Sequence, residues 1–340
     1  MIKDKLQIIL VTYNRKELLK NTFEEIFAET SPIKDCDIAI LDNCSNDGTS
    51  ELIDEYQIMH PNIKHIRNKI NIGGCGNVCK AFEMASSCNK EYAWILCDDD
   101  VYNLSKFDEV EKMMNEKKDI ICMADYEFLS KQDRDKTSAQ MVQLTFIPAS
   151  LFRTEHITDS LMVSMYESTF TLFPQLVFII SVINNGGTIG VLSKPVVFQG
   201  AQFENKQTNR SYIRGGAVAQ ATERKKATSW ILGYANILTM LHNKKLINEC
   251  MEKAVQCPDI YNGWGNCYND IIFRYFNWNS IGYFHDIYRT FKLKRKILFW
   301  IYFITPGKIR RFIGRLINAA IILKIKLHNF IAYYRSGFLE

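Results

Sequence analysis

Three consecutive carboxylates, Asp98-Asp99-Asp100, end the apolar run Tyr92–Cys97 (YAWILC). Crowded negative charges beside an apolar segment raise one another's pKa values, and the arrangement persists where a cation neutralises them. Hard oxygen donors of this kind select Mg2+ or Mn2+, ions that also take the phosphate oxygens of a substrate. A solvated acidic turn is the ordinary alternative for the triplet taken by itself. Three further polar clusters follow strand-like segments in the same way. They are Thr12-Tyr13-Asn14-Arg15 after Leu6–Thr12, Asp42-Asn43-Cys44-Ser45-Asn46-Asp47-Gly48-Thr49 after Asp37–Leu41, and Asn71-Ile72-Gly73-Gly74-Cys75-Gly76-Asn77 after Ile63–Arg67. Ser45 or Asn46 can cap a helix and the glycines can serve a tight turn. Neither use requires all four clusters to fall on one edge of a sheet.

The segments between the clusters have helical spacing. Arg15–Ala28 turns Leu18, Leu19, Phe23, Ile26 and Phe27 to one face, and Thr49–Ile58, Gly76–Ser86 and Leu104–Asn115 separate the later runs, the last of which is Ile120–Ala124. Unbroken apolar strands alternating with helices predict an α/β fold with a mostly parallel sheet buried on both faces. In such sheets ligands bind beyond the C-terminal ends of the strands, where all four clusters would lie. Farther on, Met141–Ile147 (MVQLTFI) reads as a strand, Pro174–Ile183 as a helix, and Thr188–Leu192 and Lys194–Phe198 as strands. From Ala217 the pattern is helical and rich in aromatics, so we divide the chain near residue 215, into 1–215 and 216–340.

The ordered series VTYNR, LDNCSNDGTSE, NIGG and a strand ending in DDD resembles the inverting family 2 glycosyltransferases of the GT-A fold, over residues 1–125. The resemblance implies a GT-A-like, Rossmann-like catalytic domain in 1–215, followed by a helical region. It also implies transfer of a sugar from a UDP-, dTDP- or GDP-linked donor to a glycan or lipid-linked glycan acceptor, in cell-surface polysaccharide synthesis. Carried over residue by residue, Thr12, Tyr13, Asn14, Arg15, Asp42 and Asn43 hold the base and ribose. Gly73 and Gly74, with Asn77, let the backbone approach the nucleotide closely. Asp98, Asp99 and Asp100 hold the ribose and the metal-bound diphosphate, with either Asp98 and Asp100 or chiefly Asp99 as ligands of Mn2+ or Mg2+. The family pattern often carries Asp where this chain has Cys97.

Sugar transfer needs a base, because an acceptor hydroxyl has a pKa far above 7. In the family this carboxylate often sits in a Glu-Asp pair after the acidic triplet, and no such pair occurs between residues 141 and 215. Asp159, Glu167 and Glu204 are the carboxylates placed there, Glu155 reading as part of a helix start. Glu167, just before the Pro174 helix, is our choice of base; its ordinary reading is a charge at a helix N-terminus interacting with the dipole. His156 and His242 are candidates for an additional metal or diphosphate ligand, against the ordinary reading of a solvated or core histidine.

The chain has 340 residues, 47% hydrophobic and 23% charged, which is the composition of a globular protein. No stretch reaches the roughly 18 uncharged apolar residues that span a bilayer, and MIKDKLQIIL lacks the pattern of a signal peptide. A cytoplasmic protein follows as the expectation, with its ten cysteines as thiols. Of the net charge of +5, the excess lies at the C-terminal end, where Glu340 is the one acid after Asp286. There Phe312, Leu316, Ala320, Leu323, Leu327 and Phe330 make one helical face. A basic amphipathic helix suits the anionic inner face of the plasma membrane, as a peripheral contact. Packing on its own domain or on a second copy of the chain is the alternative. No nucleic-acid-binding module accompanies the charge. A sugar nucleotidyltransferase would carry a glycine-rich loop after the first strand, yet no glycine precedes Gly48. A non-catalytic assembly partner has no reason to keep three crowded carboxylates.

Overall fold

The computed structural model describes residues 1–123, 144–198, 233, 236–237, 240–247 and 309. The chain divides into two compact units, Met1–Glu223 with Leu232–Cys257, and Arg224–Ile231 with Pro258–Glu340. The fold below belongs to the first. The boundary near residue 215, Glu204 and the basic stripe from Phe312 to Phe330 lie outside the described residues.

In chain order the elements are α1 (Ile2–Lys5), β1 (Leu6–Thr12), α2 (Lys16–Ile26), β2 (Asp37–Asp42), α3 (Thr49–Met59), β3 (Ile63–Arg67), α4 (Gly74–Ser87) and β4 (Tyr92–Cys97). They continue with β5 (Val101–Tyr102), α5 (Phe107–Asn115), β6 (Ile120–Cys122), β7 (Ser150–Arg153), α6 (Asp159–Glu167), α7 (Pro174–Asn184), β8 (Ile189–Val191) and β9 (Val197–Phe198). Seven strands form one sheet in the order β3-β2-β1-β4-β7-β6-β8, and β5 pairs with β9 separately. Only β7 runs antiparallel to its neighbours β4 and β6 in the seven-stranded sheet. The sheet is therefore mostly parallel, as the alternation of apolar runs and helices predicts.

The reason lies in burial. Ile8, Leu10, Ile38, Ile40, Trp94 and Leu96 are buried in one core cluster together with Leu19, Phe23 and Ile26 of α2. The alternate strand residues Ile9, Ala39, Leu41, Ala93 and Ile95 are buried as well, so both faces of the central strands are covered. Each such Leu or Ile contributes about 1.5–3 kcal/mol of transfer free energy, and Ile40→Ala would cost about 2–5 kcal/mol once its cavity is included. A run buried on both faces has no polar alternation to keep, which is why these strands read as continuous apolar segments.

The expected strand over Met141–Ile147 is not found in its described part. Leu144–Phe146 is not strand, Ile147–Ala149 is a 3-10 turn, and the strand begins at Ser150. Trp94 Nε1 donates to Pro148 O at 2.9 Å, and Ser150 pairs with Cys122, which locates β7 by its sheet neighbours.

Candidate active site at the C-terminal edge of the sheet

In-register pairing puts the strand ends level. Thr12 is opposite Asp42, Asp42 opposite Arg67, and Val11 opposite Cys97. The polar residues that follow β1, β2, β3 and β4 therefore meet along one edge.

Asp98 is the residue on which the β1 and β4 ends converge. Thr12 Oγ1 donates to Asp98 Oδ2 at 2.6 Å, and Arg15 Nη1 donates to Asp98 Oδ1 at 2.7 Å. The same Arg15 nitrogen lies 3.3 Å from Asp99 Oδ2, and Thr22 Oγ1, from α2, donates to Asp98 O at 3.1 Å. All three carboxylates are buried, at 1%, 2% and 0% exposure for Asp98, Asp99 and Asp100. Burial raises the pKa of Asp98, and the charge of Asp99 adds to it, against the opposing pull of Arg15 and Thr12. Burial works against the charge on Arg15 too, but Asp98 and Asp99 outweigh it and hold the guanidinium pKa above its ordinary value. Tyr102, from β5, closes the turn after β4 by donating to Cys97 O at 2.6 Å and accepting from Cys97 N at 3.0 Å. Burial, then the charge of Asp100, raises its phenol pKa, so the O–H stays available as a donor.

Among the described residues Arg15 sets its positive charge beside Asp98 and Asp99. Ligand atoms of Cys97, Asp99 and Asp100 lie within 4.8 Å of one another, close enough to share one ion. Two carboxylates offer hard oxygens of the kind Mg2+ and Mn2+ take. Asp99 and Asp100, with the Cys97 thiol, fit a divalent ion, whereas Asp98, one of the two expected ligands, is bonded to Thr12 and Arg15 and is not in that group.

Asp42 is fully buried and oriented by its own loop: Ser45 N donates to Oδ1 at 2.8 Å and Ser50 Oγ to Oδ2 at 2.5 Å. Arg67 Nε lies 3.4 Å from Oδ2. Asn14 takes a left-handed conformation (φ 50°), tolerated by asparagine. From there its backbone N donates to Ser45 Oγ at 2.9 Å and its side chain accepts from Asn46 N at 2.8 Å. Asp47 accepts from Lys16 N and Thr49 N, both at 3.1 Å, and so holds the starts of α2 and α3 together. Tyr13 is 40% exposed.

After β3, Gly73 has φ 77° and ψ 159°, a conformation essentially reserved for glycine. A Cβ built on Gly73 or Gly74 meets nothing within 4 Å, so the backbone there faces open space and a ligand can approach it. Asn43 and Asn77 are buried beneath this loop; Asn43 Oδ1 accepts from Ile72 N at 3.0 Å, and Asn77 Nδ2 donates to Leu41 O at 3.2 Å.

Glu167 is the last residue of α6, about half exposed, with Lys244 as its ion-pair partner. Its charge thus stands at a helix C-terminus, the end that disfavours an anion, and not at the helix start that the sequence was read to imply. Asp159 is the first residue of the same helix and exposed. His156 belongs elsewhere. Its Nε2 lies 2.6 Å from Asp119 Oδ1, beside Arg153, whose register partner is Tyr92 at the start of β4. The length of β4, six residues or about 20 Å, separates it from the acidic triplet. His242 lies in the described stretch 240–247.

Sequence reasoning missed Thr22, Ser50, Arg67, Asn68 and Lys80. Arg67 ends β3 and Asn68 follows it, so both were within reach of the strand-end rule, and Ser50 belongs to the motif after β2; Thr22 and Lys80 lie inside helices and carry no such signal.

A family model described as "Glycosyl transferase family 2" matches residues 7–181, which includes every strand-end cluster above. The abequosyltransferase RfbV of Salmonella typhimurium is 30% identical over 146 residues, 42% of this chain and 40% of that protein. The match thus spans well under half of that relative. Among solved structures, S. aureus TarS residues 1–349 in complex with UDP-GlcNAc has a TM-score of 0.46 at 13% identity, over 78% of this chain and 91% of that one. Mannosyltransferase PcManGT from Pyrobaculum calidifontis, in complex with GDP-Man and Mn2+, has a TM-score of 0.49 at 11% identity, over 88% of this chain and 85% of that one.

Proposed function

The chain belongs to glycosyl transferase family 2, and from that premise we propose that it transfers a sugar from a nucleotide-sugar donor to a glycan or lipid-linked glycan acceptor, with inversion. The observation that carries this reading is the convergence on Asp98: Thr12 and Arg15 from the end of β1 bond a carboxylate at the end of β4. That contact ties the arm assigned to the nucleoside to the triplet assigned to the diphosphate.

In this reading Thr12, Tyr13, Asn14, Arg15, Asp42 and Asn43 surround the base and ribose. Asp42 is pre-oriented for this by Ser45 and Ser50, so little order has to be imposed on binding. Gly73 and Gly74 pass close to the nucleotide, and Asp98, Asp99 and Asp100 face the ribose and diphosphate. Mn2+ or Mg2+ bound by the triplet would neutralise charge on the departing diphosphate. Arg15 aids the same end from the protein side, as a fixed positive charge beside Asp98 and Asp99. The acceptor hydroxyl oxygen bonds to the anomeric carbon as the bond from that carbon to the diphosphate oxygen breaks. A carboxylate takes the hydroxyl proton. We assign that role to Glu167, whose exposure leaves its oxygens within reach of an acceptor; Lys244 has to share the carboxylate with it.

A thermal-unfolding screen of UDP, dTDP and GDP, each with Mn2+ and with EDTA, tests the reading. A true donor nucleotide at 100 times its Kd adds about 2.7 kcal/mol, and only with the metal present. Equal stabilisation in EDTA refutes the metal assignment. No stabilisation by any nucleoside diphosphate refutes the donor site.

A further inference from the structure

Beneath the glycine loop lies a chain of side-chain amides that starts at a lysine. Lys80 Nζ, from α4, donates to Asn68 Oδ1 at 2.5 Å. Asn68 Nδ2 donates to Asn43 Oδ1 and to Asn77 Oδ1, each at 2.9 Å. Asn43 Nδ2 donates to Asn71 Oδ1 at 2.8 Å, and Asn71 Oδ1 also accepts from Gly73 N at 2.8 Å. Asn43, Asn68 and Asn77 are 2%, 6% and 3% exposed, so water has little access to replace a lost partner.

The direction of every bond is determined, because each end of the chain meets a group that can act in one way only. An ammonium only donates, so Asn68 must turn its oxygen to Lys80 and both amide protons to its neighbours. Leu41 O only accepts, so Asn77 presents its oxygen to Asn68. The backbone N–H groups of Ile72 and Gly73 only donate, so Asn43 and Asn71 present oxygens to them. No amide can flip alone without setting two donors or two acceptors against each other. The backbone of Asn68 joins in, its N donating to Asp42 O at 2.8 Å.

We propose that Lys80 and Asn68 are positioning residues for the nucleotide, presetting Asn43 and the Ile72–Gly73 backbone in the form that receives the donor. The proposal rests on the donor-site reading above. It goes beyond it in making a lysine and an amide that need not touch the ligand responsible for the loop's shape. Lys80→Met removes the donor to Asn68 and leaves a buried amide oxygen unpaired. Asn68→Asp separates stability from positioning. The carboxylate pairs with Lys80, but it cannot donate to Asn43 or Asn77, and neither can flip without losing Ile72 N or Leu41 O.

The test measures amide hydrogen exchange of Ile72 and Gly73 alongside the Kd for UDP, dTDP and GDP with Mn2+, in the full chain and in Lys80→Met, Lys80→Arg and Asn68→Asp, each checked by thermal unfolding. Lys80→Met and Asn68→Asp should exchange these two amides about tenfold faster and bind the preferred nucleotide about tenfold more weakly, the equivalent of one hydrogen bond. Lys80→Arg should restore both. Unchanged exchange in Lys80→Met overturns the proposal, and so does faster exchange with unchanged nucleotide affinity. Failure of Lys80→Arg to restore exchange overturns the role given to the charge-bearing donor. If Asn68→Asp does not fold, the Lys80 pair decides alone. A parent chain that binds no nucleoside diphosphate refutes the donor-site reading itself, and the exchange data then tell whether Lys80 holds the loop.

Discussion

Thr12→Val tests the joint between β1 and β4. Valine keeps the shape of threonine and removes the hydroxyl that donates to Asp98 Oδ2 at 2.6 Å. Both residues are almost wholly buried, at 3% and 1% exposure, so water cannot stand in for the lost donor. A hydrogen bond to a charged group contributes about 1.5–3 kcal/mol, and Arg15 still satisfies the other carboxylate oxygen. We therefore expect Thr12→Val to lower the unfolding free energy by about 2 kcal/mol. For a domain of this size that is about 4–8 °C in Tm. Thr12→Ser, which keeps the hydroxyl, should recover most of it. Urea unfolding of Thr12→Val, Asp98→Asn and the double variant completes a cycle, in which the coupling should exceed about 1 kcal/mol. A Thr12→Val stability within about 0.5 kcal/mol of the parent, or an additive cycle, would refute the reasoning and leave Arg15 as the tie between the two strand ends.

Asp119 gives a pH prediction away from the site. Burial works to raise its pKa, but hydrogen bonds from Thr188 N, His156 and Thr188 Oγ1 prevail and lower it to about 2. A depressed carboxyl pKa stabilises the fold above the unfolded value near 3.8, and that stability is lost as pH falls toward 2. The parent should therefore lose about 2 kcal/mol more than Asp119→Asn between pH 5 and 2, at 1.36 kcal/mol per pH unit; parallel pH curves from chemical unfolding would contradict this. Glu167→Gln should reduce turnover by about 10²–10⁴-fold with donor affinity nearly unchanged, and the same pattern in Asp159→Asn or Glu204→Gln instead would move the base to that residue. The basic segment from Lys292 to Arg335 should bring the protein down with anionic liposomes and less with neutral ones, and binding should weaken with salt because each basic residue near the surface adds about 1 kcal/mol. A protein that stays in the supernatant at low salt rules the membrane contact out.

Among the described residues no helix is long and apolar enough to cross a membrane. The strands β1, β3 and β4 were legible residue for residue: β1 and β4 are mostly apolar runs of strand length flanked by helices, while β3 (Ile63-Lys64-His65-Ile66-Arg67) was placed by its position between two helical stretches. The strand ends were legible for the same reason, and with them Thr12, Asp42, Gly73 and the acidic triplet. β7 was not. Ser150–Arg153 has four residues and no period of its own, and it is a strand because Ser150, Leu151 and Phe152 find partners on β6. The apolar stretch before it alternates like a strand, yet Pro148 lacks the N–H that a central strand needs and instead accepts from Trp94.

What the residues alone determined is local: which segments are apolar along their whole length, where glycine permits a positive φ, and that four polar clusters follow four strands. Which cluster touches which was decided by strand order, since β1 lies between β2 and β4. That order brings Arg15 to Asp98 across 83 residues and Thr12 to Asp98 across 86. Lys80 reaches Asn68 only because the chain turns back at Gly73 into α4, which packs against β1 and β4, and His156 is kept from the site only because β7 runs antiparallel. Periodicity records how each segment is buried. Which segment lies beside which is settled by packing and by backbone hydrogen bonds that are the same for every residue type, so strand order leaves little mark on the side chains it brings together.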